Sequence, residues 1–126
     1  MVAMSLARPC NARDWQCEIN KCFEAVRDNI RYIRDVRGIE TIQSPLKTMQ
    51  FGQGDCDDKA VLLASLLESI GHPTRFVALK FTGHRVYSHV LTETRSGKGW
   101  LPMDAIITQP IGWYPPEPSK RMVVNN

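Results

Sequence analysis

Gly54-Asp55-Cys56-Asp57-Asp58-Lys59-Ala60, running on into Val61-Leu62-Leu63-Ala64-Ser65-Leu66-Leu67-Glu68-Ser69-Ile70, is the stretch whose reading decides the fold. From Cys56 to Ile70 the residues are apolar around most of a helical circumference, the pattern of a helix buried on nearly every side. Gly71-His72-Pro73 ends it, because proline cannot continue the hydrogen-bond ladder and restricts the residue before it. His72 is expected to face solvent at this helix end. Cys56 opens the helix just after a glycine-rich loop, where unpaired N–H groups and the positive end of the macrodipole favour negative charge. A thiol there is expected to have a lowered pKa and to act as a nucleophile.

On the N-terminal side, Trp15, Ile19, Cys22, Val26, Ile30 and Ile33 recur every three or four residues, which predicts an amphipathic helix over Asp14–Val36. Asp14 is placed to cap its start and Gly38 to follow its end. Residues 39–55 contain Pro45, Gly52 and Gly54 and read as a long loop with one helical turn near Pro45-Leu46-Lys47. On the C-terminal side the period changes to that of strands: Arg75–Phe81, Val86–Glu93 and Trp100–Met103, forming an antiparallel meander. Pro110, Pro115, Pro116 and Pro118 predict an extended tail over 110–126 that wraps the domain or docks on a partner. The 126 residues are expected to form a single domain, with residues 1–13 as an N-terminal arm. The fold class is α+β: an N-terminal helix and a buried central helix packed on an antiparallel β-sheet.

An apolar fraction of 43% against 23% charged residues is ordinary for a globular chain, and no apolar run approaches the roughly 20 residues of a membrane helix. The first residues are too weakly apolar for a secretory signal, so a cytoplasmic or virion-associated protein is expected. Net charge is +3, from 16 basic and 13 acidic side chains. Arg27, Arg31, Arg34 and Arg37 lie along one helical side, but Asp28 and Asp35 interleave with them, which favours a solvated face over a nucleic-acid surface. Neither nucleic acid nor a membrane is an expected partner. Cys10, Cys17, Cys22 and Cys56 are too sparse for a disulfide scaffold and are expected to be free thiols. Cys10, Cys17 and Cys22 lack the short spacing and the nearby histidine of a zinc site, and Cys22 falls on the apolar helix face.

The hairpin register links two further residues. With Ser96-Gly97 as a two-residue turn, Arg95 pairs with Lys98, and counting outward sets His89 opposite Asp104. Cross-strand partners on one face lie within reach of a hydrogen bond between imidazole and carboxylate, whereas a one-residue slip puts them on opposite faces. The same register pairs Val90 with Met103 and Thr92 with Leu101.

Residues 54–77, with Ser88-His89-Val90-Leu91 and Gly99-Trp100-Leu101-Pro102-Met103-Asp104, resemble the core of the transglutaminase-like superfamily. The resemblance implies a papain-like α+β core and a Cys-His-Asp triad, carried here by Cys56, His89 and Asp104. The compact length and Gly112-Trp113-Tyr114-Pro115-Pro116 are similar to short members encoded by tailed phages and prophages. The β domains of the eukaryotic cross-linking members are absent, so calcium-controlled cross-linking is not implied.

The implied function is thiol-dependent acyl transfer on peptide or amide bonds, as a cysteine protease or amidase acting on a peptide or protein substrate. The oxyanion would meet the Cys56 N–H and a second donor, Gln53 or Gln50. Two alternatives stand beside it: a transamidase passing the acyl group to an amine, and a phage structural or assembly protein that uses the fold as a non-catalytic peptide-binding scaffold. No cofactor and no metal is expected, since Asp55, Asp57 and Asp58 read as capping residues rather than calcium ligands. His84 is a rival base that turn polarity explains as well. Trp100, Trp113 and Tyr114 either line a peptide groove or pack on the core.

Overall fold

A computed structural model describes residues 2–33, 43–83, 87–97, 99–106, 109–116 and 118–125. The elements are α1 (Val2–Ala7), α2 (Trp15–Asn29), β1 (Arg31–Tyr32), α3 (Pro45–Phe51), β2 (Gln53–Gly54), α4 (Cys56–Ser69), β3 (Thr74–Phe81), β4 (His89–Ser96), β5 (Gly99–Met103) and β6 (Pro118–Asn125). The α+β class holds: the helices pack on a four-stranded sheet of order β5-β4-β3-β6, antiparallel at every pairing.

Helix α4 sits at the centre. Its Leu62, Leu63, Leu66 and Leu67 are buried in one cluster with Ile19, Cys22, Phe23 and Val26 of α2 and with Met103. Thr92 ties the sheet to it, donating its hydroxyl to the Ala60 carbonyl at 2.8 Å. The stop falls as expected: Gly71 has φ +92° and the His72 N–H reaches back to the Leu67 carbonyl at 3.0 Å. His72 itself does not face solvent. It is buried, with Nε2 at 2.9 Å from Glu18 Oε1, because the end of α4 packs against the first turns of α2.

Asp14 caps α2, accepting from the Cys17 N–H at 3.2 Å, but the helix ends at Asn29 rather than Val36. Ile30 turns extended, and Arg31 and Ile33 donate their backbone N–H groups to Gly52 and Gly54 at 2.8 and 2.9 Å. The helical periodicity of Ile30 and Ile33 is thus overridden by a short parallel pairing of β1 with β2. Residues 34–38, including Gly38, lie outside the described residues. The expected single helical turn near Pro45 is a seven-residue helix, capped by Ser44 at one end and by Gly52 at φ +65° at the other.

The cysteine expectation is also corrected. Cys10 and Cys17 form a disulfide across a separation of seven residues, while Cys22 is free and buried in the core. The turn over Asn11–Asp14, just before α2, brings the two thiols together, which sequence spacing alone does not reveal. Closing a loop of this size removes about 2.5 kcal/mol of chain entropy from the unfolded state. Cys10→Ser with Cys17→Ser is therefore expected to lose about that much stability in urea titration, and a parent titrated in dithiothreitol is expected to match the variant.

Residues 118–125 become β6, paired with β3 from Arg75–Asn125 to Phe81–Pro118. Tyr114 and Val123 cover Val77, Leu79 and Leu91 on the sheet face away from α4. Buried Glu93 holds that face together, accepting from Arg75 at 2.7 Å, from Arg121 at 3.2 Å and from the Tyr114 hydroxyl at 3.3 Å.

Candidate active site

Two backbone features set the site: the mouth of α4 and the neighbouring ends of β4 and β5. At the mouth, Asp55 accepts from the Asp58 N–H at 3.0 Å while Asp58 accepts from the Asp55 N–H at 3.1 Å, a reciprocal capping box. Buried Asp58 also accepts from Gln43, through the backbone N–H at 2.7 Å and the side-chain amide at 3.0 Å. Gln43 was not singled out by sequence reasoning, although an aspartate three residues after the cap signals the box it completes. Gly54 fits the same corner, for a Cβ there would lie 2.7 Å from the Asp58 Cβ. This network fixes the residue between its members, Cys56.

The strand ends bring His89 and Asp104 together. The turn differs from the expected one: Ser96 pairs with Gly99, so every partner is displaced by two residues, and Thr92 pairs with Met103 and Thr94 with Leu101. An even displacement preserves the faces. Asp104 follows the last pair of the ladder and is diagonal to His89 on one face, and His89 Nε2 lies 2.6 Å from Asp104 Oδ2. The carboxylate is nearly fully buried, and its Oδ1 accepts from the Ile106 N–H at 3.4 Å. A carboxylate partner makes Nε2 the donor and leaves Nδ1 as the basic nitrogen.

The Cys56 thiol meets the backbone N–H of Val90, the residue after His89, and that of Asp57. Its Sγ is 3.8 Å from Asp57 Oδ1, and among the described residues it makes no hydrogen bond to the imidazole. The expected lowering of its pKa is reversed: burial first, with Asp57 and Asp55 adding to it, pushes the thiol up to about 12. The N–H groups of Val90 and of the helix mouth pull downward, but desolvation of a thiolate outweighs them.

Gln53, the proposed second oxyanion donor, lies in β2, half-buried, with its carbonyl accepting from Gln43 at 3.4 Å. Gln50 is exposed on α3. His84, the rival base, lies outside the described residues. Trp113 lines a depression of about 280 Å³ with His89, Asp104 and Phe81, whereas Trp100 lies under the Arg75 guanidinium at 4.3 Å. Among the described residues no group of three or more His, Cys, Asp or Glu side chains could hold a metal, and Asp55 and Asp58 are occupied as caps. No helix among them is long and apolar enough to cross a membrane.

Lys59, one turn beyond Cys56, is another residue that the sequence reading passed over. Its stem is buried and its ammonium donates to the Ile30 carbonyl at 2.7 Å and the Arg27 carbonyl at 3.4 Å, pinning the end of α2 to the start of α4. Burial pushes its pKa down to about 8 against the pull of Asp104 and Asp28. Between pH 8 and 10.5 the unfolded chain therefore holds a proton that the folded chain has released, so this group makes the protein more stable as pH rises. Cys22 and Cys56, raised to about 11 and 12, act oppositely above pH 9. From pH 7.5 to 9 the parent is expected to gain about 1 kcal/mol relative to Lys59→Met in urea titrations. Parallel pH profiles would show that Lys59 stays charged.

Comparison with known proteins bears on this arrangement. A family model described as the transglutaminase-like superfamily matches residues 4–105. The chain is similar in structure to a candidate protease from Parabacteroides distasonis, with a TM-score of 0.71 at 13% identity over 86% of this chain and 22% of that one. It is similar to calcium-bound LapG from Legionella pneumophila, with a TM-score of 0.69 at 18% identity over 88% of this chain and 65% of that one. A candidate cysteine protease from Cytophaga hutchinsonii gives a TM-score of 0.67 at 16% identity over 99% of this chain and 45% of that one. The chain thus spans less than two thirds of each of these proteins, and identities this low speak for the fold alone. Among curated protein sequences no match is found.

Proposed function

Because the chain belongs to the transglutaminase-like superfamily, we propose that it is a thiol-dependent hydrolase of peptide or amide bonds, with Cys56 as nucleophile, His89 as base and Asp104 as the group that orients the base. The hydrogen bond of 2.6 Å between His89 Nε2 and a buried Asp104 carries this reading, since it is the arrangement that makes Nδ1 a proton acceptor.

A thiol held up to about 12 is almost wholly protonated at neutral pH, so ionisation must be coupled to proton transfer. Rotation of the Cys56 side chain from Asp57 toward the ring would let Nδ1 take the proton as sulfur attacks the carbonyl. The tetrahedral oxyanion would face the N–H groups at the mouth of α4. Collapse passes the proton from Nδ1 to the departing amine and leaves a thioester on Cys56. Water then gives a proton to Nδ1, attacks the thioester and releases a carboxylic acid with the thiol restored. An amine in place of water gives transamidation.

Incubation of the parent with a peptide library and with a labelled primary amine, followed by mass spectrometry, tests the proposal. New peptide termini that disappear in Cys56→Ala are expected; amine-tagged glutamines in their place would make the chain a transamidase. The raised thiol, which among the described residues makes no hydrogen bond to the imidazole, favours a second reading, a peptide-binding scaffold of the kind a virion assembly would use. Iodoacetamide separates the two. An enzyme is expected to lose about 100-fold in Cys56 alkylation at neutral pH on His89→Ala, whereas a scaffold's Cys56 is inert with or without His89.

A further inference from the structure

At the opposite end of α4 from Cys56, a helix length of roughly 20 Å away, lies a cavity of about 730 Å³ between the start of α2, the Gly71-His72-Pro73 turn and the β4–β5 hairpin. Its volume is that of a site for a small ligand or a few peptide residues. Ile19, Ile70 and Pro73 give it an apolar lining, and Trp15, 64% exposed, stands at its rim. Arg13 and Arg95 also line it, the Arg95 guanidinium lying 6.0 Å from the centre of the Trp100 ring, and neither makes an ion pair with a carboxylate of the described residues. The acidic groups nearby are taken: Asp14 caps α2, and Glu18 holds His72.

Arg13 carries a second sign of a built surface. Its φ of +65° is the one left-handed conformation of a non-glycine among the described residues. Such a backbone is strained for a residue with a side chain and persists only when its surroundings impose it. The Cys10–Cys17 disulfide brackets it.

We propose that this cavity binds an acidic peptide segment, its carboxylate against Arg13 and Arg95 and a large apolar side chain against Trp15 and Ile70. Two guanidiniums beside an apolar floor suit one or two carboxylates on a peptide. A polyphosphate backbone, with a charge on every unit, would find too few cations in two guanidiniums. The site is separate from the proposed hydrolytic centre, so it does not depend on that chemistry.

Isothermal titration of the full chain with two unlabelled hexapeptides tests the assignment, one alternating aspartate with phenylalanine and the other lysine with phenylalanine. The acidic peptide is expected to bind at least about tenfold more tightly, with affinity falling in salt. Arg13→Ala with Arg95→Ala is expected to weaken it about tenfold, and Trp15→Ala to weaken it as well, while the alkylation rate of Cys56 is unchanged. Absence of saturable binding, equal binding of the lysine peptide, or full affinity in the double variant would overturn the proposal. A single-stranded thymidine 12-mer that binds more tightly than the acidic peptide, through the same two arginines, would reassign the cavity to nucleic acid and overturn it too.

Discussion

Asp104→Asn is expected to lower hydrolysis by roughly 10³–10⁴-fold while leaving the fold intact. The reason lies in the two oxygens of the carboxylate. Oδ1 accepts from the Ile106 N–H and Oδ2 from His89 Nε2. In the amide, the Ile106 N–H claims the oxygen, so the NH₂ group faces the ring and Nε2 must become the acceptor. The ring proton then moves to Nδ1, the nitrogen assigned to receive the thiol proton. A neutral imidazole of that tautomer cannot take a proton from Cys56. Nitrogen-15 chemical shifts of the His89 ring read the tautomer directly, and Cys56 alkylation should slow in parallel with hydrolysis. Full activity with the proton on Nδ1 would remove His89 as the base.

The second large effect is expected far from any proton. Gly54→Ala sets a methyl group 2.7 Å from the Asp58 Cβ, on a helix whose first turn is held by Asp55 and Gln43. Neither side can yield cheaply, since one is the short strand β2 and the other the Asp58 side chain, whose Cβ is fixed by the buried helix and whose carboxylate is held in the capping box. A loss of about 1–3 kcal/mol is expected from overpacking of this kind. Displacement of Cys56 should lower the rate of any acyl transfer more than the fold is weakened. Gly97→Ala is the control, because a Cβ there meets nothing within 4 Å. Urea titration and hydrolysis by the folded fraction separate the two effects; a Gly54→Ala protein as stable and active as the control would deny that this corner positions the cysteine.

The parts of the molecule governed by neighbours in sequence were legible in it. The central helix, its acidic cap and its Gly-His-Pro stop depend on a few adjacent residues, and all three fall where local reasoning sets them. Alternation along β4 and β5 placed His89 and Asp104 on one face even though the turn was shifted by one residue on each strand. Whatever depended on distant partners was not legible. Ile30 and Ile33 keep a helical spacing, yet their backbone follows Gly52 and Gly54. His72 is buried because Glu18, 54 residues earlier, receives it. Cys10 meets Cys17 through a loop shape that composition does not encode. The thiol of Cys56 was misread for a related reason: a helix mouth lowers a pKa and burial raises it, and which effect wins depends on how deeply the fold encloses the sulfur.

Strand β6 lies beyond residues 4–105 and covers the flank of β3 along most of its length. A chain cut before Pro110 would leave that row of N–H and C=O groups open to water beside Val77 and Leu79, a template on which a second molecule could add its own strand. Trimming the protein to its family match therefore invites self-association, and preparations that precipitate after such trimming would owe it to an unguarded sheet margin rather than to damage at the cysteine.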